Sequence, residues 1–311
     1  MSSAVALSDL QADGWSDGDW EGLLLSIKFK QCTPFLGAGA CAGLLPLGRD
    51  IAQKWADDYD YPFEDRTSLV RVAQYVADHR GPRVPKFKMA EALTGCKRPD
   101  FSDPFQIHRA VADLPLPVYI TTNYDDFMME AFKHSVPGRT ARREVCRWHT
   151  ARRRFAPQPV ETLNATVDAP VVFHLHGVLD EVDSMVLTED DYLDFLMAIS
   201  ELPDLIPPRI ERAFVDSTLL FLGYSLEDMN FKVLFRRLVS YIQRNSSASH
   251  VAVQLAPYQN ETTAEQLARA RRQQSYLERH LDLQKVKVYW GTCAQFAAEL
   301  RRRWEIFNHG R

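Results

Sequence analysis

Four stretches of the chain carry residue types that hold phosphates, sugars or reacting groups, and each follows an apolar run of strand length. The first is Thr33-Pro34-Phe35-Leu36-Gly37-Ala38-Gly39-Ala40-Cys41-Ala42-Gly43, where a strand over 32–36 enters a turn with three glycines. Strand, glycine turn and helix together present backbone N–H groups to a diphosphate. Gly37 permits the tight turn, and Gly39 lets a phosphate approach without a Cβ in the way. The spacing is G-x-G-x-x-x-G rather than the dinucleotide fingerprint, so the turn alone fits a plain strand-to-helix connection as well. In the second, Pro117-Val118-Tyr119-Ile120 ends in Thr121-Thr122-Asn123-Tyr124-Asp125-Asp126. An Asn-x-Asp pair at a strand end binds a ligand or caps the next helix.

The third is Pro170-Val171-Val172-Phe173-His174-Leu175-His176-Gly177. Strand alternation puts His174 and His176 on one face. His176 stands before a glycine at the strand end, where a catalytic histidine would stand. A structural role and a two-histidine metal site are the alternatives. No acidic or cysteine ligand accompanies the pair at metal spacing, which argues against metal. The fourth runs from Leu219-Leu220-Phe221-Leu222 into Gly223-Tyr224-Ser225-Leu226-Glu227-Asp228. Gly223 and Ser225 suit a phosphate or a ribose. Without a second glycine two residues on, Gly-x-Ser is no hydrolase nucleophile elbow.

The elements that must position these groups alternate. A polar, acidic arm over 1–20 carries Trp15 and Trp20, which either dock on their own domain or form a subunit interface. A short amphipathic helix over 21–30 leads into the first strand. Ile51, Trp55, Leu69, Val72, Ala73, Val76, Met89 and Leu93 recur at helical spacing, and Pro62, Gly81-Pro82 and Pro85 break the pattern into short helices. This predicts a helical lobe inserted at about 50–104. Further helices are expected over 105–114, 127–133, 261–281 and 294–307, with others opening at 187–192 and near 228. Acidic residues in the first turn of the helix at 187–192 suit its dipole. Strands are expected over 251–255 and 286–290. The stretch 139–154 is basic, with Arg139, Arg142, Arg143, Arg147, Arg152, Arg153 and Arg154 around Trp148 and His149. It reads as a solvated or partner-pairing face, with nucleic acid contact the lesser alternative. Strands alternating with helices predict an α/β, Rossmann-like doubly wound parallel sheet. Its crevice would be lined by 37–43, 121–125, 174–177 and 223–230.

Composition narrows the function classes. The chain has 311 residues, 46% of them hydrophobic, enough for one large α/β domain with an inserted lobe. Thirty-seven basic against 41 acidic residues leave a net charge of −4, so nothing global demands nucleic acid or membrane. Five scattered cysteines with no C-x-x-C pair predict neither a disulfide framework nor a zinc ribbon. The start lacks a secretory pattern, and no apolar run reaches spanning length, so a cytoplasmic protein is expected.

Taken in order, Gly37-Ala38-Gly39-Ala40, Thr121-Thr122-Asn123-Tyr124-Asp125, His176-Gly177, Gly223-Tyr224-Ser225 and Gly291-Thr292-Cys293 resemble the sirtuin superfamily over about residues 30–305. The set is more closely similar to the zinc-less bacterial sirtuin-like branch found in antiviral defence. That branch shares the Thr-Thr-Asn-Tyr-Asp and Leu-His-Gly forms, the acidic pair at Asp191-Tyr192, and Gly-Tyr-Ser-Leu followed by Asp228. Two departures stand out. Cys41 occupies a position usually held by Ser or Thr, with the segment to Pro46 one residue short. The four-cysteine zinc module of protein-deacylating sirtuins is absent, which disfavours deacylation.

The resemblance implies an arm and helix over 1–29 and an NAD-binding catalytic domain over 30–311. It implies NAD as substrate and no metal. By motif, Gly37, Ala38 and Gly39 hold the diphosphate, Asn123 orients the nicotinamide-side ribose and a water, and Asp125 contacts the carboxamide. His176 bonds the ribose hydroxyls as base or orienting group. Gly223 and Ser225 hold the adenine-side ribose and phosphate, and Thr292 and Cys293 lie near adenine. Cys41, Thr122 and Asp228 complete the binding set. The implied activity is NAD+ glycohydrolysis to nicotinamide and ADP-ribose by the effector of an abortive-infection system. The alternatives are an NAD-dependent protein deacylase or ADP-ribosyltransferase, or a non-catalytic nucleotide-binding subunit. Control is expected from homo-oligomerisation or from a partner in trans, a hexameric DNA-translocase ATPase or a short Argonaute. The basic stretch and the two tryptophans are the candidate contact surfaces.

Overall fold

A strand with neighbours on both edges and helices on both faces must be apolar throughout. β1 (Cys32–Leu36) comes close to that condition: all five residues are buried, and its one polar side chain, Thr33, accepts a hydrogen bond from Ser217 Oγ. The computed structural model describes residues 15–151, 164–202, 205–224, 249–255, 263–283 and 285–309. β2 (Val118–Thr121), β3 (Arg142–Val145), β4 (Val171–His174), β5 (Thr218–Leu222), β6 (His250–Gln254) and β7 (Val286–Trp290) join β1 in one parallel sheet of order β3-β4-β2-β1-β5-β6-β7. Phe35 pairs with Ile120 on one side and Phe221 on the other. From β1 the chain builds outward to β2 and β4, then returns to β5 on the opposite edge. The β1/β5 boundary is therefore the switch point, where open α/β sheets bind ligands.

Alternation along the strands divides the core into two layers. Phe35, Ile120, Phe173 and Phe221 face one side, and Leu36, Tyr119, Val172 and Leu220 the other. The second layer is covered by α1 (Asp17–Lys28), by helices introduced below around residues 107–134, and by the C-terminal helix Cys293–His309. The inserted lobe comprises α2 (Gly48–Asp58), α3 (Leu69–Arg80) and α4 (Val84–Thr94). Ile51, Trp55, Val72 and Met89 pack there against Met185 and Leu187 from the loop after β4. α5 (Ile107–Ala112) and α6 (Phe127–His134) flank β2, and α7 (Trp148–Ala151) follows β3. α8 (Glu189–Glu201), α9 (Pro208–Asp216) and the long helix Ala264–Asp282 cover the first layer. The lobe is tied to α8 by Lys86 Nζ to Asp191 at 2.8 Å, with both side chains largely buried. Among the described residues no helix is long and apolar enough to cross a membrane.

Several expectations need correction. α1 begins at Asp17, four residues early, because Ser16 and Asp19 form a capping box. α5 is confined to Ile107–Ala112. β3 and α9 were not anticipated. β3 is an edge strand of mostly charged, exposed residues and so lacks an apolar signature. α9 opens on Pro207-Pro208, which reads as a breaker, yet proline is well placed in a first helical turn. Trp15 donates Nε1–H to Val288 O at 2.8 Å, and Trp20 is buried in a stack on Phe296. These rings dock on their own domain, and buried Trp20 is no contact surface. The basic stretch is also engaged internally. Arg139 donates to the carbonyls of Ala112, Leu114, Leu116 and Val167, while Arg143 pairs with Asp180 and Arg147 with Glu181. Arg152, Arg153 and Arg154 lie outside the described residues.

Candidate active site

The turns after β1 and β5 are built against each other. Gly223 has φ +75°, and a Cβ there would stand 2.0 Å from Ala40 N; a Cβ on Gly39 would stand 2.8 Å from Gly223 Cα. Gly37 N–H donates to Leu222 O at 2.9 Å and Gly39 N–H to Gly223 O at 2.8 Å. The two glycines expected to open backbone amides to a diphosphate thus spend those hydrogens on β5. At Gly39 the space a side chain would fill is taken by the Gly223 backbone. Gly37 has an extended backbone, and a Cβ there would stand 2.9 Å from the Tyr224 ring, so its absence makes room for that ring. Ala38 between them is exposed at the crevice lip.

The β2 turn is locked to the same place. Thr122 N–H donates to Leu36 O, and its hydroxyl bonds the Tyr224 hydroxyl at 2.5 Å. Asn123 donates its side-chain N–H to Gly37 O at 3.1 Å and approaches Cys41 Sγ at 3.4 Å. With Nδ2 so engaged, Oδ1 is the atom Asn123 offers to a ligand or a water. Asp125 is buried. Its Oδ1 accepts from Phe127 N, as expected of a cap, and its Oδ2 accepts from the Cys41 thiol at 3.4 Å. Burial pushes the Asp125 carboxyl up to about 6 and drives the Cys41 thiol up further. His108 from α5 brings Nε2 to 3.7 Å from Cys41 Sγ. Cys41, His108 and Asp125 thereby offer three ligand-type atoms, all within 4.8 Å of one another. The sequence gave no sign of this meeting, since His108 and Asp125 lie 67 and 84 positions from Cys41.

At the β4 end, the strand stops at His174, so strand alternation does not govern His176. His174 Nδ1 lies 3.2 Å from Asn123 O and helps hold the β2 turn. The His176 ring stands edge-on to Tyr192 and Phe195, at 5.5 and 5.1 Å between centroids. Its Nε2 is buried without a partner, as is that of His174. Desolvation pushes His176 down to about 3 and His174 to about 4, so both are neutral at physiological pH.

A family model for the SIR2-like domain matches residues 117–279, from β2 through most of the long helix. The chain belongs to the SIR2-like family. Curated relatives agree. It is 22% identical over 285 residues to the NAD(+) hydrolase ThsA of Acinetobacter baumannii (strain 532279), covering 88% of this chain and 54% of that protein. The ThsA proteins of Enterococcus faecium and Cytobacillus dafuensis are 25% and 26% identical, over 60% and 66% of this chain and 35% and 37% of theirs. The chain spans about half or less of the length of these relatives.

Within this SIR2-like chain, Gly37, Ala38, Gly39, Cys41, Thr122, Asn123, Asp125 and Gly223 come together at the β1, β2 and β5 ends. His176 stands at the end of β4, beside β2 in the sheet. Cys293 joins them through a hydrogen bond with the Gly223 backbone. Thr292 is occupied as a helix cap, exchanging hydrogen bonds with Gln295. Ser225 and Asp228 lie outside the described residues. Sequence reasoning missed His108 and Tyr224. A histidine on the buried face of a helix carries no spacing signal, but the tyrosine beside Gly223 was open to notice.

Proposed function

We propose that this crevice binds NAD+ and hydrolyses its nicotinamide–ribose bond. The observation that carries the reading is the anchoring of Asn123. Its amide N–H is held by Gly37 O, which turns Oδ1 to the crevice as a fixed acceptor between the β1 and β2 turns. Nicotinamide leaves as a neutral pyridine through an oxocarbenium-like state, so its departure needs no strong acid. The site has to position one water and exclude the rest. Asn123 Oδ1 accepts a hydrogen bond from that water. Neutral His176 orients ribose hydroxyls through Nε2, and its depressed basicity suits orientation better than proton abstraction. Asp125, ionised above about pH 6, accepts from the carboxamide N–H2. The water oxygen bonds to C1′, the C1′–N bond electrons leave with nicotinamide, and the water's proton passes to solvent. The products are nicotinamide and ADP-ribose.

Relatives named NAD(+) hydrolase support the substrate. The resemblance to defence-associated sirtuin-like proteins supports a toxic, conditionally active effector in bacterial anti-phage defence, controlled by self-assembly or by a partner in trans. The test is nicotinamide release from NAD+ by the purified chain, beside Asn123→Ala and His176→Ala. Both variants should retain the parent's far-UV circular dichroism and lose at least a hundredfold in rate. Full activity in either, with the parent active, overturns the assignment of that residue.

A further inference from the structure

We propose that Cys41, His108 and Asp125 form a site for a thiophilic divalent cation of the zinc type, at the floor of the crevice. With Zn–S of about 2.3 Å and Zn–N or Zn–O of about 2.0–2.1 Å, tetrahedral coordination separates neighbouring ligand atoms by about 3.5 Å. Cys41 Sγ lies 3.4 Å from Asp125 Oδ2 and 3.7 Å from His108 Nε2. The three residues come from three elements: the turn after β1, helix α5 and the β2–α6 turn. Each contributes a different donor, and soft sulfur with imidazole and carboxylate favours zinc over magnesium or calcium.

Charge supports the same assignment. Asp125 is buried, and among the described residues no lysine or arginine ion-pairs with it. A buried carboxylate is normally paired with a cation or bound to a metal. One divalent cation balances a thiolate and a carboxylate, and the thiol proton leaves to solvent on coordination. The fourth position faces Asn123, whose amide is 3.4 Å from the same sulfur. A water or an anion would take it.

Gln106, behind His108, sets how tightly the cation binds. Gln106 Oε1 accepts from Arg109 N at 3.1 Å, which turns Nε2 toward His108 Nδ1 at 2.9 Å. His108 then carries its proton on Nε2, facing the sulfur. Coordination moves that proton to Nδ1, where it needs an acceptor. Glutamate at 106 would keep the helix cap through one oxygen and accept from Nδ1–H through the other. Gln106→Glu should therefore tighten the cation by about 10–100-fold.

Occupation has a consequence that rests on the proposed NAD+ reading: the cation takes the Asp125 oxygen and crowds Asn123, so it switches the enzyme off. The experiment uses the full chain, free of affinity tags, titrated with Co2+ and with Zn2+. One equivalent of Co2+ should give a sulfur-to-cobalt charge-transfer band that Zn2+ abolishes. Cys41→Ser should lose the band, His108→Gln should weaken binding tenfold or more, and Gln106→Glu should strengthen it. Thermal melting checks that each variant folds. If His108→Gln does not fold, Cys41→Ser and Gln106→Glu decide. No stoichiometric binding, a band that survives Cys41→Ser, or Gln106→Glu without tightening overturns the site. In parallel, Zn2+ should reduce nicotinamide release by the parent tenfold or more, and the ratio with and without Zn2+ should fall to about one in Cys41→Ser. Cobalt binding by a chain that releases no nicotinamide when metal-free, whether assembled or with a partner supplied, refutes the NAD+ reading and leaves the metal site standing. Nicotinamide release without metal binding does the reverse.

Discussion

Substituting Gly223 with alanine tests whether the β1 and β5 turns depend on the absence of a single carbon. The new Cβ would lie 2.0 Å from Ala40 N and 2.5 Å from Gly39 C, both backbone atoms that no rotamer can move. Relief requires the two turns to separate by about 1 Å, an overpacking cost of about 1–3 kcal/mol. The φ of +75° adds about 1–2 kcal/mol for a residue with a Cβ. Separation also stretches Gly39 N–H···O Gly223, worth about 1 kcal/mol. The expected loss is about 3–6 kcal/mol, or about 5–9 °C in melting temperature for a chain of this size. Gly138→Ala is the control. Its φ is +89°, but nothing lies within 4 Å of the added carbon. It should lose only the conformational part, about 1–2 kcal/mol. Thermal melting followed by circular dichroism reads both. At a temperature where Gly223→Ala is still folded, its nicotinamide release should be down at least tenfold, because Asn123 is anchored on the displaced turn. If Gly223→Ala melts no lower than Gly138→Ala, the close contact is not what holds these turns.

Two further predictions concern buried charge. Desolvation holds His108 and His176 down to about 3, and His174 and His250 to about 4. The unfolded chain therefore binds more protons at these sites, and their stabilising contribution falls as pH drops below about 6.5. Asp125, raised to about 6, acts oppositely between pH 6 and 4, but it is one group against four. Urea unfolding should show a net loss of about 4 kcal/mol between pH 7 and 5.5, and a flat profile would contradict neutral burial of the histidines. Lys86→Met should cost about 3 kcal/mol by stranding the Asp191 carboxylate, with Lys86→Met/Asp191→Asn recovering part of it in the same assay. A double variant weaker than Lys86→Met would show that Asp191 acts chiefly as the α8 cap, through Leu187 N and Thr188 N.

The centre of the sheet was legible because burial on both faces forces unbroken apolar runs. β1 and β5, neighbours at the centre, cover the stretches 32–36 and 219–222 that the pattern marked. Legibility failed where the physics was not periodic. β3 is held by pairing with β4 alone, and its Arg142 and Arg143 hide it. Which residues stand at the strand ends could be read, but relations between distant residues could not. Gly39 was marked, yet its reason is Gly223. Cys41 was marked as a departure, yet its neighbour His108 was not. His176 was marked on an alternation that ends at His174, and its isolation among Tyr192 and Phe195 comes from how α8 packs.

The docking of the first helix also sets a clock. Trp15 finds its acceptor on Val288, 273 positions later, and Trp20 finds Tyr289 and Phe296. At about 5–20 residues per second, the ribosome needs roughly 15–55 s to span that gap. Until then α1 lacks the part of its bed made by β7 and the C-terminal helix. β1 likewise lacks one of its two neighbours until β5 has emerged, and the glycine turn lacks Gly223. A nascent chain released early therefore has no finished crevice. Whatever this site does to its substrate, it does only once Gly223 and Cys293 have both been made.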